Sequence, residues 1–158
     1  LTLARAEQGQ GVQPEVEVRS IADELVEQWR EPIESKGLIL EYRPEAQLCG
    51  PFNPTLLRTV MGNLLRNAWH YTEQGHVRLL LQEYGFVVED SGVGIPEHER
   101  EAMFQPFVRG GKQRGDGLGL GLSLVQRICA AQGWMVQLSA VEPSGCRFRV
   151  VLRPGAAG

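Results

Sequence analysis

The period of the apolar residues changes along this chain in an order that limits its fold. Helical spacing runs through Ile21, Leu25, Trp29 and Ile33, and alternation follows at Leu38, Leu40 and Tyr42. A second helical stripe holds Leu56, Leu57, Val60, Met61, Leu64, Leu65 and Ala68. Two strand-like runs, 77–82 and 86–89, meet at Tyr84-Gly85. A helical run over 120–132 precedes a last hairpin, 134–140 and 146–152, turning at Pro143-Ser144-Gly145. Helices interspersed among hairpins, without strict β-α-β alternation, predict an α+β fold. The expected form is a two-layer α/β sandwich, a mixed, mostly antiparallel sheet covered on one face by about three helices.

Local signals add boundaries. Val16 and Val18 alternate with charged neighbours, as a short strand would. Ser20, with Asp23 three residues on, is the expected N-cap of the first long helix, and Pro32 a point of irregularity in it. Asn53-Pro54 is a cap followed by a first-turn proline. A short helix is expected over 96–104. Residues 1–9 carry Leu1, Leu3 and Ala4 on one side of a turn and stop at Gly9. They predict the tail of a preceding helix, with one domain over 10–158.

The 158 residues suffice for a core without cross-links. A net charge of −3 excludes nucleic-acid binding through bulk positive charge. Cys49, Cys129 and Cys146 include no C-x-x-C pair, which argues against a disulfide framework or zinc site. No apolar run approaches the ~18 residues of a membrane span, and no signal peptide opens the chain.

Nineteen glycines exceed the roughly 11 of average usage, and the surplus is concentrated. Asp90-Ser-Gly92-Val-Gly94-Ile95-Pro96 lies between an apolar strand and a helix. A carboxylate ending such a strand is costly unless hydrogen-bonded, and the amino group of a base would serve. The alternative is a simple hairpin turn. Between Gly110 and Leu122, Gly115, Gly117, Gly119 and Gly121 alternate into a helix start, whose free N–H groups suit phosphate. Arg109, Lys112 and Arg114 add cations. The spacing is that of neither a P-loop nor a dinucleotide fold. Asn63 and Asn67, four apart, share a helix face. Poor helix formers at that spacing suggest a polar, ligand-facing stripe whose amide oxygens suit Mg²⁺.

These stretches, in this order, resemble the ATP-binding catalytic domain of sensor histidine kinases, a Bergerat-type fold. The superfamily includes gyrase, the mismatch-repair ATPase and the ninety-kilodalton heat-shock chaperone. Asn63-Leu-Leu-Arg-Asn67-Ala matches its asparagine box and Asp90-x-Gly92-x-Gly94 its first glycine box. Met103-Phe104-Gln105-Pro106-Phe107 matches its phenylalanine box. Gly117-Leu118-Gly119-Leu120-Gly121-Leu122-Ser-Leu-Val125 matches its second glycine box. The resemblance covers about residues 15–153. Residues 1–9 are similar to the end of the family's dimerisation helix.

The resemblance implies roles. Asp90 would accept from the adenine amino group, Gly92, Gly94 and Ile95 would form the same base-binding stretch, and Tyr71 would flank the ring. Asn67 would coordinate Mg²⁺, with Asn63 supporting metal and phosphates. Residues 105–117 would be a lid anchored by Phe104 and Phe107, with Arg109, Lys112 and Arg114 as candidate phosphate contacts. Gly117 to Leu122 would line the phosphates, Gly119 and Gly121 through backbone N–H groups. The implied partners are the parent protein's own phosphoacceptor helices, in a homodimer, and a response-regulator receiver domain. No nucleic acid or membrane contact is implied for this part, which would be cytoplasmic within a parent anchored in the inner membrane.

Two departures matter. The family usually carries Lys or Arg where this chain has His70, so a fixed cation near phosphate is missing. None of His70, His76 and His98 stands in the family's acceptor context, so this chain is expected to bind Mg-ATP but not to autophosphorylate alone. Related ATPases place a glutamate general base where this chain has Asn63, and an amide cannot take a proton from water. The alternatives are an anti-sigma-factor-type serine kinase and a non-catalytic nucleotide-sensing module.

Overall fold

A computed structural model describes residues 15–93 and 119–153. Strand β1 (Val16–Glu17) leads directly into helix α1 (Val18–Ser35), followed by β2 (Ile39–Pro44) and β3 (Cys49–Gly50). Helix α2 (Pro54–Tyr71) precedes the β4 (His76–Leu81) and β5 (Gly85–Asp90) hairpin. Helix α3 (Gly119–Gln132) precedes β6 (Met135–Ala140) and β7 (Cys146–Val151).

Five strands form one sheet in the order β2-β4-β5-β7-β6, with only β2–β4 parallel. β1 and β3 pair separately. The period of two sets the faces. In register across the sheet, Val77, Leu79 and Leu81 of β4 stand beside Asp90, Val88 and Phe86 of β5, then Cys146, Phe148 and Val150 of β7. The apolar members of that grid share one buried cluster with Ile21, Leu25 and Ile33 of α1, the α2 stripe, and Leu122 and Val125 of α3. Among the described residues one face therefore carries three helices, and α2 sits between the other two, touching both.

The opposite face carries a charged row, Glu41, Arg78, Glu89 and Arg147, one from each of four adjacent strands. Arg78 bridges Glu41 (2.7 Å) and Glu89 (2.9 Å), and Arg147 meets Glu89 at 2.5 Å. Hydrogen bonding to Arg78 holds the Glu41 carboxyl below its usual range.

The start of α1 corrects the sequence reading. Val18 is not in a strand and Ser20 is not the cap; both lie inside the helix, whose cap position, Glu17, makes no side-chain cap bond. The Val18 N–H instead donates to the Leu48 carbonyl (3.0 Å), and Val18 is buried. A contact thirty residues away replaces the local cap. Pro32 lies inside an uninterrupted α1, its carbonyl accepting from Trp69 Nε1 (3.1 Å) and the Lys36 N–H (3.3 Å). Asn53 caps α2 as expected, Oδ1 accepting from the Leu56 N–H at 3.0 Å. Cys129 and Cys146 are buried, Cys49 is exposed, and no two of them form a disulfide. Burial pushes the Cys129 thiol up to about 12. Among the described residues no helix is long and apolar enough to cross a membrane.

Candidate functional site

The inward faces of α2 and β5 are apolar until their C-terminal ends, where both turn polar. The β5 row Phe86, Val88 ends in Asp90, and the α2 stripe through Leu57, Val60 and Leu64 continues into Asn67 and Tyr71. Asn67 and Asp90 are each 1% exposed and Thr72, just past α2, is 0% exposed. Polar groups at such positions cost free energy unless hydrogen-bonded.

The Asp90 carboxylate is anchored by backbone. Its Oδ1 accepts from the Gly92 N–H (2.8 Å) and the Cys146 N–H (3.3 Å). A Cβ on Gly92 would overlap the Tyr71 carbonyl oxygen, so this turn requires glycine. Ser144, from the β6–β7 turn, donates Oγ–H to the Gly92 carbonyl. Ser91 Oγ accepts from the His76 N–H (2.9 Å) and donates to the Gln74 carbonyl (3.1 Å), tying the end of β5 to the start of β4. Beside this turn opens a cavity of about 340 Å³, lined by Tyr71, Glu73, Gln74, Ser91, Gly92, Val93 and Ser144.

The two asparagines differ. Asn63 is half-buried, and its Nδ2 donates to the Thr59 carbonyl one turn back (2.9 Å). Its Oδ1 faces α3, 3.4 Å from where a Cβ on Gly121 would stand, so the asparagine helix and the start of α3 meet here. Asn67 has no protein partner for either Oδ1 or Nδ2. An unpaired buried polar group costs about 1–3 kcal/mol, and a site that receives a ligand is one reason to keep it.

His70 is exposed in the last turn of α2, its ring 4.5 Å from that of Tyr71. Sequence reasoning missed what holds this turn. Lys36 Nζ donates to the carbonyls of Trp69 (2.7 Å) and His70 (3.2 Å), lies 3.7 Å from Glu73, and sits 5.3 Å over the Trp69 ring. It supplies a cation to the C-terminus of α2 from another helix's end, where no local signal exists. Thr72 was likewise not singled out by any motif.

Gly119 and Leu120 open α3, and Leu122 is buried in the core. Gly94, Ile95, Phe107, Arg109, Lys112, Arg114, Gly117 and Leu118 lie outside the described residues, with the expected 96–104 helix, the 105–117 lid and residues 1–9.

This arrangement of sheet, helices and turn is that of a known family. Residues 52–156 match the histidine kinase-, DNA gyrase B- and HSP90-like ATPase family, and the chain belongs to it. Among curated relatives, the adaptive-response sensory kinase SasA of Crocosphaera subtropica is 32% identical over 148 residues, 89% of this chain and 39% of its own. The alginate biosynthesis sensor protein KinB of Pseudomonas aeruginosa is 36% identical over 101 residues, 61% of this chain and 17% of its own. Among solved structures, the mycobacterial sensor histidine kinase MprB matches with a TM-score of 0.70 and 28% identity, over 90% of this chain and 99% of that one. Full-length ShkA in complex with AMPPNP shares the fold (TM-score 0.74, 24% identity, 90% of this chain, 31% of that one). The chain thus spans well under half the length of these curated relatives.

The turn that frames Asp90 yields a prediction. Gly145 has φ +131°, and a Cβ there would overlap the Asp90 carbonyl oxygen. Gly145→Ala is expected to lower unfolding free energy by about 2–4 kcal/mol in urea denaturation. Unchanged stability would contradict the close approach of this turn to β5.

Proposed function

We propose that this chain is the ATP-binding catalytic domain of a two-component sensor histidine kinase. In this reading it holds Mg-ATP for phosphoryl transfer to a histidine on a dimerisation helix of a longer, homodimeric parent. A response-regulator receiver domain then takes the phosphoryl group. Residues 1–9 are read as the end of that dimerisation helix and 10–158 as the catalytic domain. The domain would work in the cytoplasm, with the parent anchored in the inner membrane.

The observation that carries the reading is the polar end of the core. Asp90 is fixed by two backbone N–H groups, beside a cavity that has Tyr71 on its wall. A carboxylate has about four acceptor positions, enough to keep these bonds and take an adenine amino proton as well. A guanine carbonyl would meet the same carboxylate unfavourably, which supports adenine. Gly92 keeps the floor free of side-chain bulk.

The residues present fit magnesium. Asn67 offers a buried, unpartnered amide oxygen, a hard ligand of the kind Mg²⁺ accepts. Among the described residues no cluster of three or more His, Cys, Asp or Glu could hold a metal ion. A cation bound here would therefore lean on nucleotide phosphates and water, with Asn67 orienting it and Asn63 supporting from one turn away. When bound, magnesium would supply charge neutralisation to the phosphates. The chain's own part is positioning. Asn63 cannot act as a general base toward water, which supports transfer to an external acceptor over hydrolysis.

Two substitutions test this. Asp90→Asn turns an acceptor into a group that can present N–H to the adenine amino group. Affinity for ATP in calorimetry is expected to fall about ten- to a hundredfold. Parent-like binding would remove the adenine assignment. His70→Lys restores a fixed cation beside the expected phosphate position and is expected to tighten ATP binding at pH 7.5 with the fold intact. Equal or weaker affinity would contradict the reading that a phosphate-facing cation is missing at position 70.

A further inference from the structure

Helix α2 ends without a local cap. The last four carbonyls of a helix have no partner within it, and a left-handed glycine after the last turn is the usual remedy. Here the residue after the helix, Thr72, is extended, with φ −109° and ψ 116°, so the chain leaves α2 without folding back on it. The last turn also holds no lysine or arginine, His70 being its basic residue. This is nevertheless the turn that carries His70 and Tyr71, directly after Asn67.

The missing cap comes from the corner between α1 and β2. Lys36 Nζ donates to two of the open carbonyls, those of Trp69 (2.7 Å) and His70 (3.2 Å). Its charge also meets the negative end of the helix dipole. The same corner grips α2 and the segment after it at three further points. Trp69 Nε1 donates to the Pro32 carbonyl (3.1 Å), the Trp69 ring lies 5.6 Å from that of Trp29, and the Ile39 N–H donates to the Gly75 carbonyl (3.0 Å). Between these anchors stand three members of the cavity wall, Tyr71, Glu73 and Gln74. The Glu73 carboxylate lies 3.7 Å from Lys36 Nζ but is 79% exposed, so this ion pair adds little. The clamp rests on the two carbonyl bonds.

We infer that Lys36 is a positioning residue of the nucleotide site. Its ammonium holds the last turn of α2 helical and so keeps Asn67 and Tyr71 in place for binding, acting through the Trp69 and His70 carbonyls rather than on the ligand. This rests on the nucleotide reading given above and adds to it a residue from a helix that carries none of the motifs. Without the ammonium the two carbonyls turn to water, which favours fraying of the last turn. A ligand that needs one conformation of a turn binds more weakly in proportion to the fraction of molecules that keep it. A turn kept in about a tenth to a third of molecules lowers the apparent affinity about three- to tenfold.

The test uses Lys36→Met, which keeps an unbranched stem beside the Trp69 ring and loses the ammonium, and Lys36→Arg, which keeps a cation and donors. Mg-ATP is titrated calorimetrically into the full chain at a temperature where circular dichroism shows each variant folded. The Asn67 side-chain amide is followed by nuclear magnetic resonance without nucleotide. Lys36→Met is expected to bind Mg-ATP about three- to tenfold more weakly than the parent and to move the Asn67 signals. Lys36→Arg is expected to bind within about twofold of the parent, with the Asn67 signals restored. A Lys36→Met protein that binds like the parent overturns the inference, and a lower melting temperature with that unchanged affinity marks a stabilising cap and no more. Weakened binding with unmoved Asn67 signals overturns it too, as does weakened binding that arginine fails to restore. In the parent, the Lys36 side-chain resonances are expected to shift with Mg-ATP along the same isotherm as Asn67, a reading that stands even where Lys36→Met does not fold; Lys36 signals that stay in place overturn the inference. A parent that fails to bind Mg-ATP overturns the nucleotide reading and this inference together; a binding parent with an indifferent Lys36→Met overturns this inference alone.

Discussion

The structure depends on a carboxylate placed at the inward end of its central strand. β5 is buried along its whole length, and Asp90 occupies the third inward position after Phe86 and Val88. That position would suit valine in an ordinary sheet. Keeping an aspartate there requires donors, and the fold brings two backbone N–H groups, from Gly92 and Cys146, onto one oxygen. The surrounding turn has to come very close to do this. Gly92 packs against the Tyr71 carbonyl and Gly145 against that of Asp90, without room for a Cβ at either.

The neighbouring residue shows what a purely structural solution looks like. Glu89 is also buried, at 4% exposure, but it faces the other side of the sheet. There Arg78 and Arg147 close on both its oxygens at 2.9 and 2.5 Å. A buried charge met by two guanidiniums is satisfied within the chain. On the helix side Asn67 and Thr72 keep unpaired atoms. The two faces of this strand therefore differ: one carboxylate is met by two arginines within the chain, and the other stands on the side that carries the unpaired atoms of Asn67 and Thr72.

Much of this was legible in the sequence because it is local. The Asn53 cap, the α2 stripe, the β4–β5 hairpin and the exceptional position of Asp90 follow from spacing within a dozen residues. Asn63 and Asn67 stood out because asparagine is a poor helix former. The missing parts depend on distant partners. Val18 enters α1 on a bond to Leu48, so the local Ser20 signal was not used. β1 and β3 are two-residue strands that exist only as each other's partner. Lys36 caps α2 from 33 residues away, and the Glu41–Arg78–Glu89–Arg147 row emerges only once four strands are in register. Thr72 is an ordinary residue at a helix end until the fold closes around its hydroxyl.

The central claim is that the unpaired polar atoms at this end of the core receive Mg-ATP. The most direct measurement is a nuclear magnetic resonance titration that follows the Asn67 side-chain amide and the Gly92 backbone N–H. The account predicts that both shift together on adding Mg-ATP and saturate with one dissociation constant. It also predicts that the resonances of the Arg78 and Arg147 guanidinium groups, on the opposite face, stay in place. Stationary Asn67 and Gly92 signals at high Mg-ATP, or shifts confined to the charged face, would contradict it.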